Sequence, residues 1–262
     1  MVLERVLVIG ATGNIGVAAV KGALRSGRQV LAIVRNQASA DKLYKHVGSS
    51  QGIQVVEASV VSDTGVKGVV DQVKAGKLPA FQHVYTCVPP HYPGTLYMPI
   101  KVPGLTVFRL VGGEYTDVPL KDITTERLRK NINMAFESNF FAYRDTIEYL
   151  YKQNHPNSTW TICTGSQGDE AMFALPAMGQ GPLFSMATAA ARENEKTNVR
   201  VNEVYLMFRV EVDEAAKEHG VSSSSEFASV YEGILNNPEI RSSRVRVASP
   251  ADFTDLKWAK KF

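Results

Sequence analysis

The chain has little cysteine: Cys87 and Cys163 are the only two in 262 residues, and neither stands at a metal-ligand spacing. Two thiols are too few for a disulfide framework, so small core residues in a reducing compartment are expected. The five histidines, His46, His83, His91, His155 and His219, are equally scattered, and no metal is expected. The charge excess is also small, at +3, and the Lys and Arg are dispersed along the chain, which argues against nucleic acid as a partner. No apolar run approaches the length of a membrane span. Met1-Val2-Leu3-Glu4-Arg5 leads straight into an apolar strand pattern, so neither a signal peptide nor a membrane anchor is expected, and the expected location is cytoplasmic. Internal repeats and long linkers are lacking too, which points to a single domain over residues 1–262.

What is present is alternation. Apolar runs at Val6–Ile9, Val30–Val34, Ile53–Ala58, Val84–Val88, Trp160–Thr164, Val199–Leu206 and Val245–Val247 read as strands. Between them lie helical patterns at Asn14–Arg25, Ser39–Val47, Gly65–Val73, Thr125–Lys152, Leu183–Glu195, Asp213–Glu218 and Glu226–Asn236, and Ser249-Pro250-Ala251-Asp252 caps a short terminal helix. Successive βα units predict an α/β fold with a doubly wound parallel Rossmann sheet.

The first strand runs into Gly10-Ala11-Thr12-Gly13-Asn14-Ile15-Gly16. Glycines at this spacing, after a strand and opening a helix, serve a tight turn, the close approach of a pyrophosphate to backbone, and close helix–strand packing. Gly10, Thr12, Gly13, Asn14, Ile15 and Gly16 are therefore the candidate dinucleotide loop. An acid at the end of the second strand would bind the ribose 2′-hydroxyl of NAD, but the strand ends Val34-Arg35-Asn36. The planar fork of Arg35 suits a 2′-phosphate, so the expected cofactor is NADP(H).

The order of these segments resembles the short-chain dehydrogenase/reductase superfamily over nearly the whole chain. Val6 to Arg35 is similar to its NmrA-like branch. Pro182 to Arg192 is similar to the family's active-site helix, and Val199-Arg200-Val201-Asn202 to its "RVN" strand. The resemblance implies further nucleotide contacts at Asn36, Ser59, Val60 and Val88, with Ser59 standing where the family has an acid. It also implies a Tyr and, four residues on, a Lys; in this register those places are Phe184 and Thr188. The family's catalytic Ser falls at Gly165 or Ser166, and its helix Asn at Ala135, with Asn131, Asn133 and Asn139 nearby. Phe184 has no ionisable oxygen and Thr188 no charge, so the usual proton transfer is not available.

Candidate replacements are Ser166 and Asp169, in the loop leaving the fifth strand, and Tyr115, read as the only nearby phenol. Ser166 can hydrogen-bond a carbonyl, and Asp169 can hold a cation or relay a proton; as a bland alternative, Ser166 is a turn residue and Asp169 with Glu170 an acid pair at a helix start. Hydride chemistry belongs to the nicotinamide, and an activated substrate such as an iminium ion or conjugated acceptor needs less acid catalysis than a ketone. The resemblance extends to fungal specialised-metabolism members without the Tyr–Lys pair. The expected function is thus an NADP(H)-dependent oxidoreductase of secondary metabolism acting on a small, apolar molecule, with homo-oligomerisation as in many relatives. The rival readings are a cofactor-holding cyclase or isomerase without net redox, and a non-catalytic NADP(H) sensor.

One stretch breaks the rhythm. Pro89 to Val111 carries five of the twelve prolines and only Lys101 and Arg109 as full charges. It leaves the strand end where open α/β sheets bind ligands. It reads either as an ordered apolar lid or as an inserted segment with no selected role.

Overall fold

The computed structural model describes residues 3–87 and 118–262. The expected segment 89–111 lies outside the described residues. Among the described residues ten strands are formed: β1 (Arg5–Ile9), β2 (Gln29–Val34), β3 (Ile53–Glu57), β4 (His83–Thr86), β5 (Ser158–Gly165), β6 (Val199–Leu206), β7 (Val210–Glu211), β8 (Ser222–Ser223), β9 (Ser243–Val247) and β10 (Lys257–Lys260). The helices are α1 (Asn14–Arg25), α2 (Gln37–Val47), α3 (Gly65–Lys74), α4 (Thr125–Ile132), α5 (Ser138–Gln153), α6 (Gln167–Glu170), α7 (Ala174–Glu193), α8 (Asp213–His219) and α9 (Ser224–Asn236).

Eight strands make one sheet in the order β10-β9-β6-β5-β4-β1-β2-β3, and β7 and β8 pair beside it. The pairings from β3 across to β9 are parallel. Strands β1, β2, β4, β5 and β6 are buried at almost every position because both faces are covered. In β1, Val6 and Val8 join a core with α1, α2 and α9, whereas Leu7 and Ile9 join a second core with α3, α5 and α7. The chain runs outward from β1 through β2 and β3 and returns at β4 on β1's other side. The crevice at this switch point lies at the carboxyl ends of the strands.

The expected doubly wound sheet is present, with four differences in detail. The helix read as Thr125–Lys152 is interrupted by a π turn at Asn133–Glu137. The helix read as starting at Leu183 begins at Ala174 and runs through Pro182. The terminal helix is a single 3₁₀ turn, Pro250–Phe253. Val245–Val247 is not the last strand, because β10 follows and pairs antiparallel with β9. Among the described residues no helix is long and apolar enough to cross a membrane, and no group of His, Cys, Asp and Glu could hold a metal.

The "RVN" residues have a structural task. Arg200 is buried, and its Nη1 donates to the carbonyls of Ile234 (3.2 Å), Asn237 (2.8 Å) and Ile240 (2.9 Å), closing the C-terminal end of α9 where carbonyls lack helical donors. Asn202 Nδ2 donates to the same Ile240 carbonyl at 2.9 Å. Burial lowers the Arg200 pKa to about 10, which leaves it cationic at neutral pH.

A second buried polar group lies two strands away at the same end of the sheet, where His83, Thr159 and Arg200 pair in register. His83 is fully enclosed, with Nε2 3.1 Å from Glu4 Oε2 and Nδ1 3.1 Å from Thr159 Oγ1. A carboxylate only accepts, so the neutral ring donates from Nε2 and accepts the Thr159 hydroxyl at Nδ1. Burial lowers the His83 pKa from 6.5 to about 4. Hydrogen bonds from His83 and Arg28 hold the Glu4 carboxyl at about 2, so it stays ionised through that interval. The unfolded chain takes up a proton at His83 below pH 6.5 and the folded chain does not until about 4. Stability should therefore fall as pH drops through this window, by about 3 kcal/mol from this group. Denaturant titrations at pH 7 and pH 4.5 should show the loss in the native protein, and His83→Gln should flatten it.

Candidate functional site

The glycine turn sits at the switch point. Gly10 has φ +82°, a left-handed conformation that favours glycine, and its carbonyl accepts from Gly13 N at 3.2 Å. A Cβ on Gly16 would lie 2.1 Å from the Gly10 oxygen, so only glycine lets α1 start this close to β1. No side chain caps the first turn of α1 and no acid lies in it, so its amides are available to an anion. Asn14 faces the other way in part: its Oδ1 accepts from Val212 N at 3.3 Å and its carbonyl from Ser224 Oγ at 2.6 Å. It thus ties the loop to the segment after β6. Ile15 packs on the core of α1 and α9, and Thr12 is half-buried.

Arg35 is exposed just past the end of β2 and has no partner among the described residues. Asn36 has a structural role: its Oδ1 caps α2, accepting from Ser39 N and Ser39 Oγ at 3.0 Å each. Ser59 is exposed at the end of β3, held in a turn whose carbonyl lies where a Cβ on Gly65 would be (1.9 Å), and Val60 packs on the core of α3 and α5. This set fits a dinucleotide whose pyrophosphate meets α1 and whose ribose approaches Arg35. Val88 and Tyr115 lie outside the described residues.

At the C-terminal end of β5 the structure brings together groups that the sequence reading left apart. The π turn puts Ala135 against α7, where a Cβ on Gly179 would stand 2.6 Å from Ala135 Cβ and 2.9 Å from Asn131 Nδ2. Asn131 Nδ2 donates to the Leu175 carbonyl at 2.7 Å. Asn139 donates to the Ala135 carbonyl at 2.8 Å and accepts from Thr86 Oγ1, which fastens the turn to β4. Asn133 points away, to the Val61 carbonyl at 3.1 Å. Gln180 lies over β5, its Oε1 2.6 Å from where a Cβ on Gly165 would be.

Three buried polar atoms in this neighbourhood lack partners among the described residues: Ser166 Oγ, Gln180 Oε1 and Asn131 Oδ1. Buried polar atoms are rarely left unmatched, so these three are candidates to meet water or a ligand. The Ser166 backbone turns the chain: its N–H donates to the Leu206 carbonyl at 3.1 Å and its carbonyl accepts from Asp169 N at 2.9 Å. Gln180 lies in the first turns of α7, ahead of the Leu183 start read from the sequence.

The early start of α7 changes where Phe184 and Thr188 stand. The Phe184 ring covers Gly168, lies 5.8 Å from the Tyr205 ring and carries the Arg244 guanidinium 4.8 Å from its centre. Thr188 faces the β9–β10 edge. Neither joins the Ser166–Gln180–Asn131 group. In any register α7 contains no Tyr and no Lys. The expectation that Tyr115 is the only nearby phenol is also corrected. Tyr205, on β6, donates to Asp169 Oδ2 at 2.8 Å. Burial and that acceptor push its pKa up to about 12, so it stays protonated and engages the Asp169 carboxylate in a structural bond. Cys87 is buried and its thiol is pushed up to about 12 by that burial, in keeping with a core residue.

The parallel sheet, the β1–β4 crevice and the glycine turn define a Rossmann-type α/β protein. No family model matches the chain. A short-chain dehydrogenase/reductase, iacG, of Pestalotiopsis fici is 47% identical to it, over 98% of this chain and 96% of that one. Among solved structures, a short chain dehydrogenase from Bacillus anthracis matches with a TM-score of 0.72 at 12% identity, covering 93% of this chain and 94% of that one. ElxO with NADP bound matches with a TM-score of 0.68 at 12% identity, covering 90% and 92% of the two chains. The chain belongs to the short-chain dehydrogenase/reductase family.

The tightness of the glycine turn is testable without any ligand. Gly16→Ala should cost roughly 1–3 kcal/mol, the usual range for forcing extra volume into a packed site. A shift in the denaturation midpoint would register it; an unchanged midpoint would mean that the turn yields freely.

Proposed function

We propose that this protein is an NADP(H)-dependent oxidoreductase of specialised metabolism that acts on an already activated C=N or C=C bond of a small, largely apolar molecule. The observation that carries this reading is the pairing of a glycine turn fit for a dinucleotide with an α7 that has neither Tyr nor Lys. The first-turn amides of α1 suit the pyrophosphate, and Arg35 suits a 2′-phosphate that NADP(H) has and NAD(H) lacks. ElxO, of the same fold, has been solved with NADP bound. The cofactor supplies hydride transfer.

The chain's own contribution is orientation. The hydroxyl of Ser166 and the side-chain amide of Gln180 can hydrogen-bond a neutral oxygen or nitrogen of the substrate. Neither exchanges a proton readily near neutrality, so they position and polarise without serving as general acid. General acid catalysis is worth roughly 10²–10⁴-fold, and an unactivated ketone would need it. An iminium ion or conjugated acceptor needs less. The 47% identity to a short-chain dehydrogenase/reductase of Pestalotiopsis fici supports the oxidoreductase class.

Calorimetry with NADPH and NADH tests the cofactor half: NADPH should bind more tightly, and Arg35→Ala should narrow the difference by about 1–3 kcal/mol. Equal affinities in the native protein would remove the argument from Arg35. For the chemistry, a panel of simple ketones should turn over far more slowly than cyclic iminium ions or enones with NADPH. Ser166→Ala and Gln180→Ala should each lower turnover of the activated substrates while leaving NADPH affinity within a few-fold. Rapid reduction of plain ketones would show that a proton donor is at work and overturn the reading.

A further inference from the structure

We propose that the cleft between α7, β9 and β10 is a binding site for a phosphoryl group, separate from the glycine turn. The cleft has a volume of about 520 Å³ and is lined by Thr188, Arg244, Arg246, Lys257 and Lys261, with no carboxylate among its lining residues. That volume suits a small molecule.

The strand register points to a ligand. Arg246 on β9 stands directly opposite Lys257 on β10. Paired residues project to the same face, and like charges in that position destabilise a sheet. Arg244, two residues from Arg246, shares its face. Arg246 has no partner among the described residues. Lys257 has only the exposed Asp255, in a surface pair that contributes little. Behind them, the buried Glu203 is shared by Arg244, at 2.9 Å, and Lys261. One carboxylate against two cations leaves the wall positive. The open guanidinium fork of Arg246 and the remaining Nη1 of Arg244, whose Nε and Nη2 bond Glu203 at 2.9 Å and 3.2 Å, with an ammonium opposite, match the several oxygens and multiple charge of a phosphoryl group better than a single carboxylate does. A bound anion would turn the Arg246–Lys257 repulsion into a bridge. The site is fixed rather than loose, because Arg244 is also stacked on Phe184 and on Tyr205, 4.8 Å and 4.7 Å from the ring centres.

Calorimetry and thermal unfolding of the full chain with sodium pyrophosphate, against sodium chloride of equal ionic strength, test this. Saturable binding and a rise in melting temperature are expected with pyrophosphate alone. Arg246→Thr and Lys257→Thr should each weaken binding by about tenfold or more. Without the anion they should melt at or above the native temperature, since they relieve the repulsion. Saturating NADPH, which fills the glycine turn, should leave this binding unchanged, which separates the cleft from that turn. Comparing phenyl phosphate with inorganic phosphate identifies the source: tighter binding of the ester assigns an organic phosphate, equal binding the free anion. No saturable binding, or binding lost under saturating NADPH and kept in both cleft variants, would overturn the proposal.

Discussion

A methyl group at position 16 would stand 2.1 Å from the Gly10 carbonyl oxygen, and much of the architecture follows from its absence. Because α1 starts against the turn that leaves β1, its axis points at the carboxyl end of the central strand. Its buried face, Val17, Ala18, Val20 and Ala23, is then committed to the sheet and to α9. That fixes α9, whose carboxyl end is closed by Arg200 from β6. Asn14, at the start of α1, also anchors the segment after β6 through Val212 and Ser224. The cofactor end of the crevice and the chain beside its substrate end are therefore set by one close backbone approach.

Most of the frame was legible in the residues. Strands such as Arg5–Ile9 and Gln29–Val34 are apolar on both faces, and helices such as Asn14–Arg25 stop where their pattern stops, so each βα unit shows its own bounds. The failures share a physical reason: tertiary packing overrode a local rule. Pro182 is a poor helix-interior residue, but α7 runs through it because Gly179 seats the helix against Ala135 and Asn131. The π turn leaves no mark in apolar periodicity; the polar contacts of Asn131, Asn139 and Ser138 hold it. β10 consists of exposed residues and exists only because β9 offers an edge.

The site was half legible for the same reason. The glycine spacing and Arg35 are local signals, readable without knowing what lies across the crevice. Gln180 and the Asp169–Tyr205 bond depend on α7's start and on β6's register beside β5, where Gly165 pairs with Leu206. Nine residues of error in a helix start amount to two and a half turns, and those omitted turns of α7 hold Gln180, which lies over β5.

β10 also governs how the molecule meets others. A parallel sheet ending at β9 would present a row of open amides and carbonyls, the template on which a second sheet can continue. β10 takes up that row with four exposed residues, Lys257-Trp258-Ala259-Lys260. Its own outer edge is short and carries a lysine at each end, so a second copy arriving edge to edge meets like charge before it meets hydrogen-bonding partners. The strand ends the sheet as a charged selvage, and continuous sheet extension across this edge is disfavoured by the last few residues to join it.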